Sequence, residues 1–480
     1  MTTSPLASRR RNNELVLVLM AAVLTIGAYL LASLGKTSDI PANLIGFLVI
    51  VVGLLLVAHV ATRFLAAGAD SVLLPLAALL NGIGYVFIVR VDARNRLAGL
   101  QSVWTFLGIG LYVVVLMVVR RVPDLRRYKW TLLAVGVVLL VLPMVPGVGT
   151  FNGTNARLWI QLGPVSFQPG EFAKIFLAIF FAAYLAENRE LIAAGTWRVF
   201  GLNLPEPRHL VPILCAWGFS VIVLVGQKDL GSSLLFFTLF VVLLWIATER
   251  KAFLILGAAL FAGAAVLAWR VFDNVQSRVD LWIDPWSRFG GTTAGGDKGR
   301  QAVQAWFAFA NGGMFGTGLG QGSPNKIPAV QNDYIFAAIG EELGLVGATA
   351  LLIAFLLMIG AGLSIAVKAQ RPFEKLLATG LTTILGVQAF VIMGGVTRLL
   401  PLTGVTLPFV SYGGSSLVAN FALLALLMRI SDSAARRNRE IPDTPTLSER
   451  LAARRLQRQL ARQDRRDQRQ SASTGSGADR

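Results

Sequence analysis

The chain has 480 residues, of which 55% are Ala, Val, Ile, Leu, Met, Phe, Trp, Tyr or Cys and only 15% are charged. A soluble domain carries about 25% charged residues, so this composition excludes a water-soluble globule. The formal net charge is +18, but the basic side chains fall in short loops and a C-terminal tail, a distribution that argues against a nucleic-acid partner and for a membrane protein with positive loops inside.

The charge deficit is uneven. From Asn43 to Thr62 the only polar side chains are Asn43, His59 and Thr62. A helix needs about 20 such residues to cross the hydrocarbon core. Only helices or closed barrels satisfy their backbone there, and these runs exceed the length of barrel strands. The N-terminal segment carries Arg9, Arg10 and Arg11 before an apolar run. That run lacks a clear small-residue cleavage site and is expected to be a retained first helix.

Apolar runs predict twelve spanning helices, near 14–35, 42–62, 71–90, 100–119, 130–149, 171–187, 210–226, 230–248, 252–271, 334–366, 376–396 and 409–430. With a cytoplasmic N-terminus, the inside loops then hold Arg63, the Arg120–Lys129 cluster, Arg189, Arg198, Arg208, Arg250, Lys251, Lys368, Arg371 and Lys375. The exception is Arg90, Arg94 and Arg96, which fall outside. Cys215 lies in an apolar run, is expected to pack between helices and has no partner for an internal disulfide. His59 and His209 show no metal-ligand spacing.

Residues 272–333 form an unusually long outside connection containing Trp306-Phe307-Ala308-Phe309. Loops above about 15 residues are commonly functional or disordered, and the aromatic content argues against disorder. A shorter outside loop, 150–170, carries Trp159. The chain divides into 1–70 with two N-terminal helices, a membrane core at 71–430, and a basic tail at 431–480. The tail has no aromatic residue and reads as disordered or loosely helical at the cytoplasmic face, either a topology anchor or a site for a partner or anionic lipid.

Ionisable side chains at membrane helices are costly, so each is a functional hypothesis. Four groups stand out. In Gln168-Pro169-Gly170-Glu171-Phe172-Ala173-Lys174, Pro and Gly open a helix, and Glu171 and Lys174 share a face. They form either a structural ion pair or a substrate contact, with Arg157 nearby in sequence. In Gln227-Lys228-Asp229-Leu230-Gly231, Asp229 either caps the next helix or walls a cavity. In Asn332-Asp333-Tyr334-Ile335-Phe336, Asp333 stands where a loop meets a helix, either as a cap or as a base whose proton affinity is raised by partial burial. Glu341 and Glu342 follow; being about 100° apart on a helix, only one of them is expected to face any one cavity. The last group, Pro401 to Ser416, with Arg398 upstream, is too rich in Pro, Gly and Ser for an unbroken span. Such backbone either lines a cavity or makes close helix contacts.

These four groups, in this order over roughly residues 71–430, resemble the SEDS family of RodA, FtsW and SpoVE proteins. The two helices before residue 71 and the Gly394-Gly395-Val396-Thr397-Arg398 stretch are most like the actinobacterial RodA type. Two departures are Gly170, where the family usually has Ser, and Asn332 and Tyr334 around the retained Asp333. The resemblance implies an all-α polytopic bundle: a ten-helix core plus two N-terminal helices, in the bacterial plasma membrane with both termini cytoplasmic. It implies a peptidoglycan glycosyltransferase that extends glycan strands from lipid II during elongation and shape maintenance, with a class B penicillin-binding protein as partner. The essential loop aspartate of the family corresponds to Asp333, and Arg157, Glu171, Lys174 and Asp229 match further functional positions.

The chemistry fits. A sugar 4-hydroxyl attacks an anomeric carbon whose leaving group is a polyprenyl diphosphate, which calls for a base and for positive charge at the diphosphate. Asp333 is the expected base; Arg157, Lys174, Lys326 or Arg398 the expected positive charge, alone or with a divalent cation such as Mg or Mn. Alternatives are an FtsW-type septal polymerase, a lipid II flippase using the same intramembrane charges, and a scaffold that only recruits the penicillin-binding protein. The absence of a clear inverted repeat disfavours the flippase, and charges within the membrane disfavour the scaffold.

Overall fold

The computed structural model describes residues 5–38, 44–92, 96–151, 157–163, 165–194, 197–199, 202–204, 207–227, 229–289 and 296–440. In chain order these form α1 (Pro5–Thr37), α2 (Leu44–Leu65), α3 (Leu73–Val91), α4 (Arg96–Val118), α5 (Lys129–Val141), β1 (Gly149–Phe151), β2 (Arg157–Leu162), β3 (Val165–Phe167), α6 (Gly170–Glu187), α7 (Arg189–Ala194), β4 (Trp197–Val199), β5 (Leu202–Leu204), α8 (Pro207–Gly226), α9 (Leu230–Thr248), α10 (Ala252–Val271), α11 (Asp273–Ile283), α12 (Gly296–Gly312), α13 (Ile335–Lys368), α14 (Pro372–Val396) and α15 (Gly414–Glu440). Two compact units are resolved, Met1–Ala434 and Ala435–Arg480. Of the second unit the described part, 435–440, is helical; the rest of the expected tail lies outside the described residues.

Each of the twelve expected segments is helical, and the protein is a multi-pass membrane bundle. Among the described residues, nine helices are long and apolar enough to cross a membrane. The other three expected segments correspond to α2, with an apolar stretch Val49–Leu65, to α8, with Leu214–Val223, and to α6, which carries Glu171, Lys174 and Glu187. Several boundaries move: α1 begins at Pro5, and two changes have a clear cause. The fifth helix tightens into a 3-10 turn at Leu142–Met144, where Pro143 removes a backbone donor. The last begins at Gly414, since the Pro- and Gly-rich chain before it is not helical, and runs through residues expected in the tail.

Burial separates the helices into inner and outer sets. Every residue from Gly413 to Asp432 is buried, so α15 is central, with α6 and α14 also largely enclosed. α10 lies outermost; Ile255 is 71% and Leu267 64% exposed, as expected of side chains that face lipid tails. Cys215 corrects the expectation of packing between helices: it is exposed on α8, because the inner face of that helix at this level falls to Ala216 and Ser220. The loops add structure that helical periodicity could not show. β1, β2 and β3 form an antiparallel sheet in the 150–170 loop, and β4 pairs with β5.

Polar contacts fix the loops. On the expected inner side, Arg10 Nη1 donates to Gly68 O at 2.9 Å, and Arg11 donates to Ala69 O and to Asp70 O (3.1 Å for the latter). Gly68 N donates to Asp432 Oδ1 at 2.7 Å and Asp70 N to Ser431 Oγ at 2.9 Å. At the far end of α1, Gln321 Nε2 donates to Gly35 O at 2.9 Å and Lys36 Nζ to Arg90 O at 3.4 Å. Helix α1 is thus fastened at both ends to other parts of the bundle.

The pair Glu341 and Glu342 has a shared structural role. Both are buried and both accept from one loop: Ser323 N donates to Glu341 Oε1 at 3.1 Å and Gly320 N to Glu342 Oε2 at 2.9 Å. α13 is interrupted at Gly344 (φ 68°, ψ −169°). A side chain there would meet Gly316 N at 2.2 Å, so the loop strand passes directly over the break and reaches both carboxylates.

Candidate functional site

A cavity of roughly 840 Å³ opens between the loops on the expected outer side. Its wall includes Trp159 from β2, Glu171 from α6, Asp229 before α9, Arg278 and Trp282 from α11, Trp306 from α12, Asp333, and the 402–406 and 412–414 segments. All four motif groups therefore meet at one place.

The Pro401–Ser416 block is what joins them. Ser411 Oγ donates to Asn332 O at 2.6 Å and Tyr412 N to Gln331 O at 2.8 Å, which fixes the chain just before Asp333. Gln168 N donates to Ser415 Oγ at 2.8 Å, which fixes the entry to α6. Gln388 Nε2 donates to Thr406 O at 2.8 Å, and Gln388 Oε1 accepts from Lys174 Nζ at 3.2 Å. The non-helical backbone serves as a hub at the cavity wall, where broken backbone is tolerated.

Asp333 is half-buried in that wall. It is not the N-cap of α13: that position is Tyr334, whose side chain makes no capping bond. Loss of water around the carboxyl raises its pKa to about 6, opposed by the nearby Arg278 guanidinium. Burial likewise pushes the Tyr334 phenol up, with the Asp333 charge adding to the effect. A group that titrates near neutrality beside a polar cavity is suited to take a proton from a hydroxyl.

Glu171 and Lys174 pair at 2.7 Å with 3–4% of each side chain exposed. Lys174 spends its charge on Glu171 and Gln388 and is absent from the cavity wall, whereas Glu171 reaches it. Asp229 fulfils both readings. It caps α9, accepting from Ser232 N at 3.0 Å and Ser232 Oγ at 2.6 Å, and it lines the cavity.

The expected cations are redistributed. Lys326 ends a 3-10 turn (Pro324–Lys326), is exposed and does not reach the cavity wall, because the turn points it outward while Ile327 is buried. Arg398 does line the cavity, but its guanidinium braces α11: Nε donates to Trp282 O at 3.0 Å and Nη2 to Ile283 O at 2.6 Å, and it lies 4.9 Å from the Trp306 ring centre. Arg157 opens β2; its side chain lies outside the described residues. Arg278 was not foreseen. It sits on the amphipathic helix α11, and the only signal for it was a basic residue on the apolar-periodic stretch within the long loop.

Comparison with known proteins identifies the family. A family model described as "Cell cycle protein", FtsW/RodA/SpoVE, matches residues 64–436. The peptidoglycan glycosyltransferase RodA of Mycobacterium tuberculosis is 43% identical over 448 residues, covering 92% of this chain and 94% of that protein. RodA of Mycobacterium leprae is 42% identical, covering 90% and 93%. Among solved structures, a chain from a peptidoglycan synthase complex that coordinates polymerization and crosslinking superposes with a TM-score of 0.63 at 28% identity, covering 76% of this chain and 98% of its own. The Rod shape determining protein RodA of Thermus thermophilus gives 0.53 at 27% identity, covering 76% and 96%.

Proposed function

The chain belongs to the FtsW/RodA/SpoVE family, and on that premise we propose that it is a peptidoglycan glycosyltransferase which polymerises lipid II during cell elongation. The observation that carries this reading is Asp333, half-buried and raised to a pKa of about 6, in the wall of a cavity large enough for sugars. Asp333 accepts the proton of the acceptor sugar's 4-hydroxyl as that oxygen bonds to the anomeric carbon of the donor. The bond from that carbon to the diphosphate oxygen breaks, and the polyprenyl diphosphate leaves with the electron pair. Indole rings of Trp159, Trp282 and Trp306 supply flat surfaces for the sugars.

Among the described residues no group of three carboxylate, thiol or imidazole ligands is gathered. A divalent cation, Mg or Mn, would be held largely by the diphosphate oxygens, with at most one or two protein carboxylates. With both termini cytoplasmic, as proposed, the cavity faces outward, where the lipid tail stays in the bilayer while the sugars enter the loops. A class B penicillin-binding protein is the proposed partner; its crosslinking would consume the strands. The coordinated complex of a related protein supports this pairing.

The test is synthesis of glycan chains from labelled lipid II by the purified protein with that partner. Chains sensitive to Asp333→Asn are expected. A protein that moves lipid II across vesicles without forming chains would instead be a transporter.

A further inference from the structure

A reaction that expels a diphosphate needs a cation at the leaving group, and the structure narrows the choice. Lys174 is committed to Glu171 and Gln388, Lys326 stands outside the cavity, and Arg398, exposed, spends two of its donors on the carbonyls of Trp282 and Ile283 as a brace for α11. Arg278 differs. Its Nη1 donates to Leu402 O at 2.9 Å, which anchors the guanidinium at one corner. A guanidinium has five N–H donors, so most remain for a ligand. Among the described residues, no carboxylate lies within 4.0 Å of Arg278, although Asp229 and Asp333 both act on it from farther away.

Gly404 shows how the space is kept. It has φ +77°, a conformation that favours glycine, and a methyl group there would lie 3.6 Å from Arg278 Nη2 and 3.7 Å from Asp333 Oδ2. The guanidinium and the carboxylate thus approach one small open volume without closing on each other. In a displacement, the attacking and leaving oxygens stand on opposite faces of the anomeric carbon, so a base and a leaving-group cation must be neighbours that do not touch.

We propose that Arg278 binds the diphosphate of the glycosyl donor, next to the base Asp333. This rests on the glycosyltransferase reading above. The planar fork suits two phosphate oxygens at once, which a lysine ammonium cannot match. Burial pushes the Arg278 pKa down from its ordinary value, and the charges of Asp229 and Asp333 oppose that shift.

The experiment uses the purified full chain with its partner, the variants Arg278→Gln and Arg278→Lys, and undecaprenyl diphosphate and undecaprenyl monophosphate as competitors of lipid II polymerisation. Wild type is expected to favour the diphosphate competitor by about tenfold or more, the scale of one charged hydrogen bond. Arg278→Gln should abolish that preference and lower kcat/KM by about 10- to 100-fold on the same scale. Arg278→Lys should recover part of both, and it keeps the test open if the Gln variant fails to fold. A folded variant of either kind with an unchanged preference for diphosphate overturns the assignment. Wild-type polymerisation with that result would leave the glycosyltransferase reading intact, whereas absence of polymerisation by wild type would remove the reading itself.

Discussion

Arg90 Nε lies 2.9 Å from Glu342 Oε1, with 8% and 0% of the two side chains exposed. The pair joins α3 to α13, and Arg90 Nη2 also donates to the carbonyls of Gly320 and Gly322, both at 2.9 Å. An arginine neutralised and buried in this way does not act as a free loop charge, which accounts for one member of the basic group that broke the positive-inside pattern. Removing one partner of a buried ion pair costs about 3–5 kcal/mol. Arg90→Met should therefore lower stability by about that amount in denaturation of the detergent-solubilised protein. Arg90→Met with Glu342→Met should recover much of it, though Gly320 N would still lack its acceptor. Equal stability of Arg90→Met and wild type would show that the pair is not a brace.

Asp333→Asn should preserve shape while removing the proton acceptor, and general-base loss costs about 10² to 10⁴ in rate. Polymerisation should fall by at least about 10², with lipid II binding changed much less. The pH dependence has a defined sign. The base must be ionised, so the wild-type rate should decline as pH drops through about 6. Stability runs the other way: between the ordinary carboxylate value and about 6 the folded state holds the proton more tightly than the unfolded state, so stability falls as pH rises through that window. Asp333→Asn should consequently be at least as stable as wild type at neutral pH. An inactive variant that is also less stable would indicate a structural role instead.

The Glu171–Lys174 pair is predicted to be structural in one half and exposed to substrate in the other. Lys174→Ala leaves Glu171 buried without its cation and should cost about 3–5 kcal/mol, with activity lost alongside stability. The charge-swapped double variant should recover only part, since Gln388 presents its carbonyl oxygen to residue 174 while its amide is held by Thr406 O. Complete recovery of stability without activity would point to direct substrate contact by Glu171.

Orientation is tested by reporters. One fused after Arg429 should be cytoplasmic, and one inserted near Gly295, in the long connection, should be extracytoplasmic. Both on one side would refute the twelve-helix topology.

The helices were legible because lipid imposes a single requirement, a long apolar run, that appears directly in the chain. Asp333, Asp229, Glu171 and Arg398 were legible because charge or broken backbone at membrane depth is costly, and all four line the cavity. Arg278 was not, because an amphipathic helix within a loop resembles any polar stretch until α11 folds over Leu402. Lys326 and Lys174, both expected at the diphosphate, do not line the cavity, for the opposite reason. Sequence shows that a positive charge is present, but whether it faces the cavity depends on a turn in one case and on Gln388, far along the chain, in the other. The two carboxylates at 341 and 342 were separated on an ideal helix, and the break at Gly344 with its covering loop makes them partners of the same loop.

The fastening of α1 at both ends has a consequence for the membrane itself. Arg11 holds the 66–70 loop and Gly35 receives Gln321, and at about 1.5 Å per residue these points are about 36 Å apart along the helix. The hydrocarbon core is about 30 Å thick. A free helix answers a thicker or thinner bilayer by tilting or sliding, but α1 cannot slide without releasing one of its moorings. It acts as a fixed gauge, so the lipid around this face must stretch or compress to the protein, and the height of the outer loops above the inner ones stays constant from one bilayer to another.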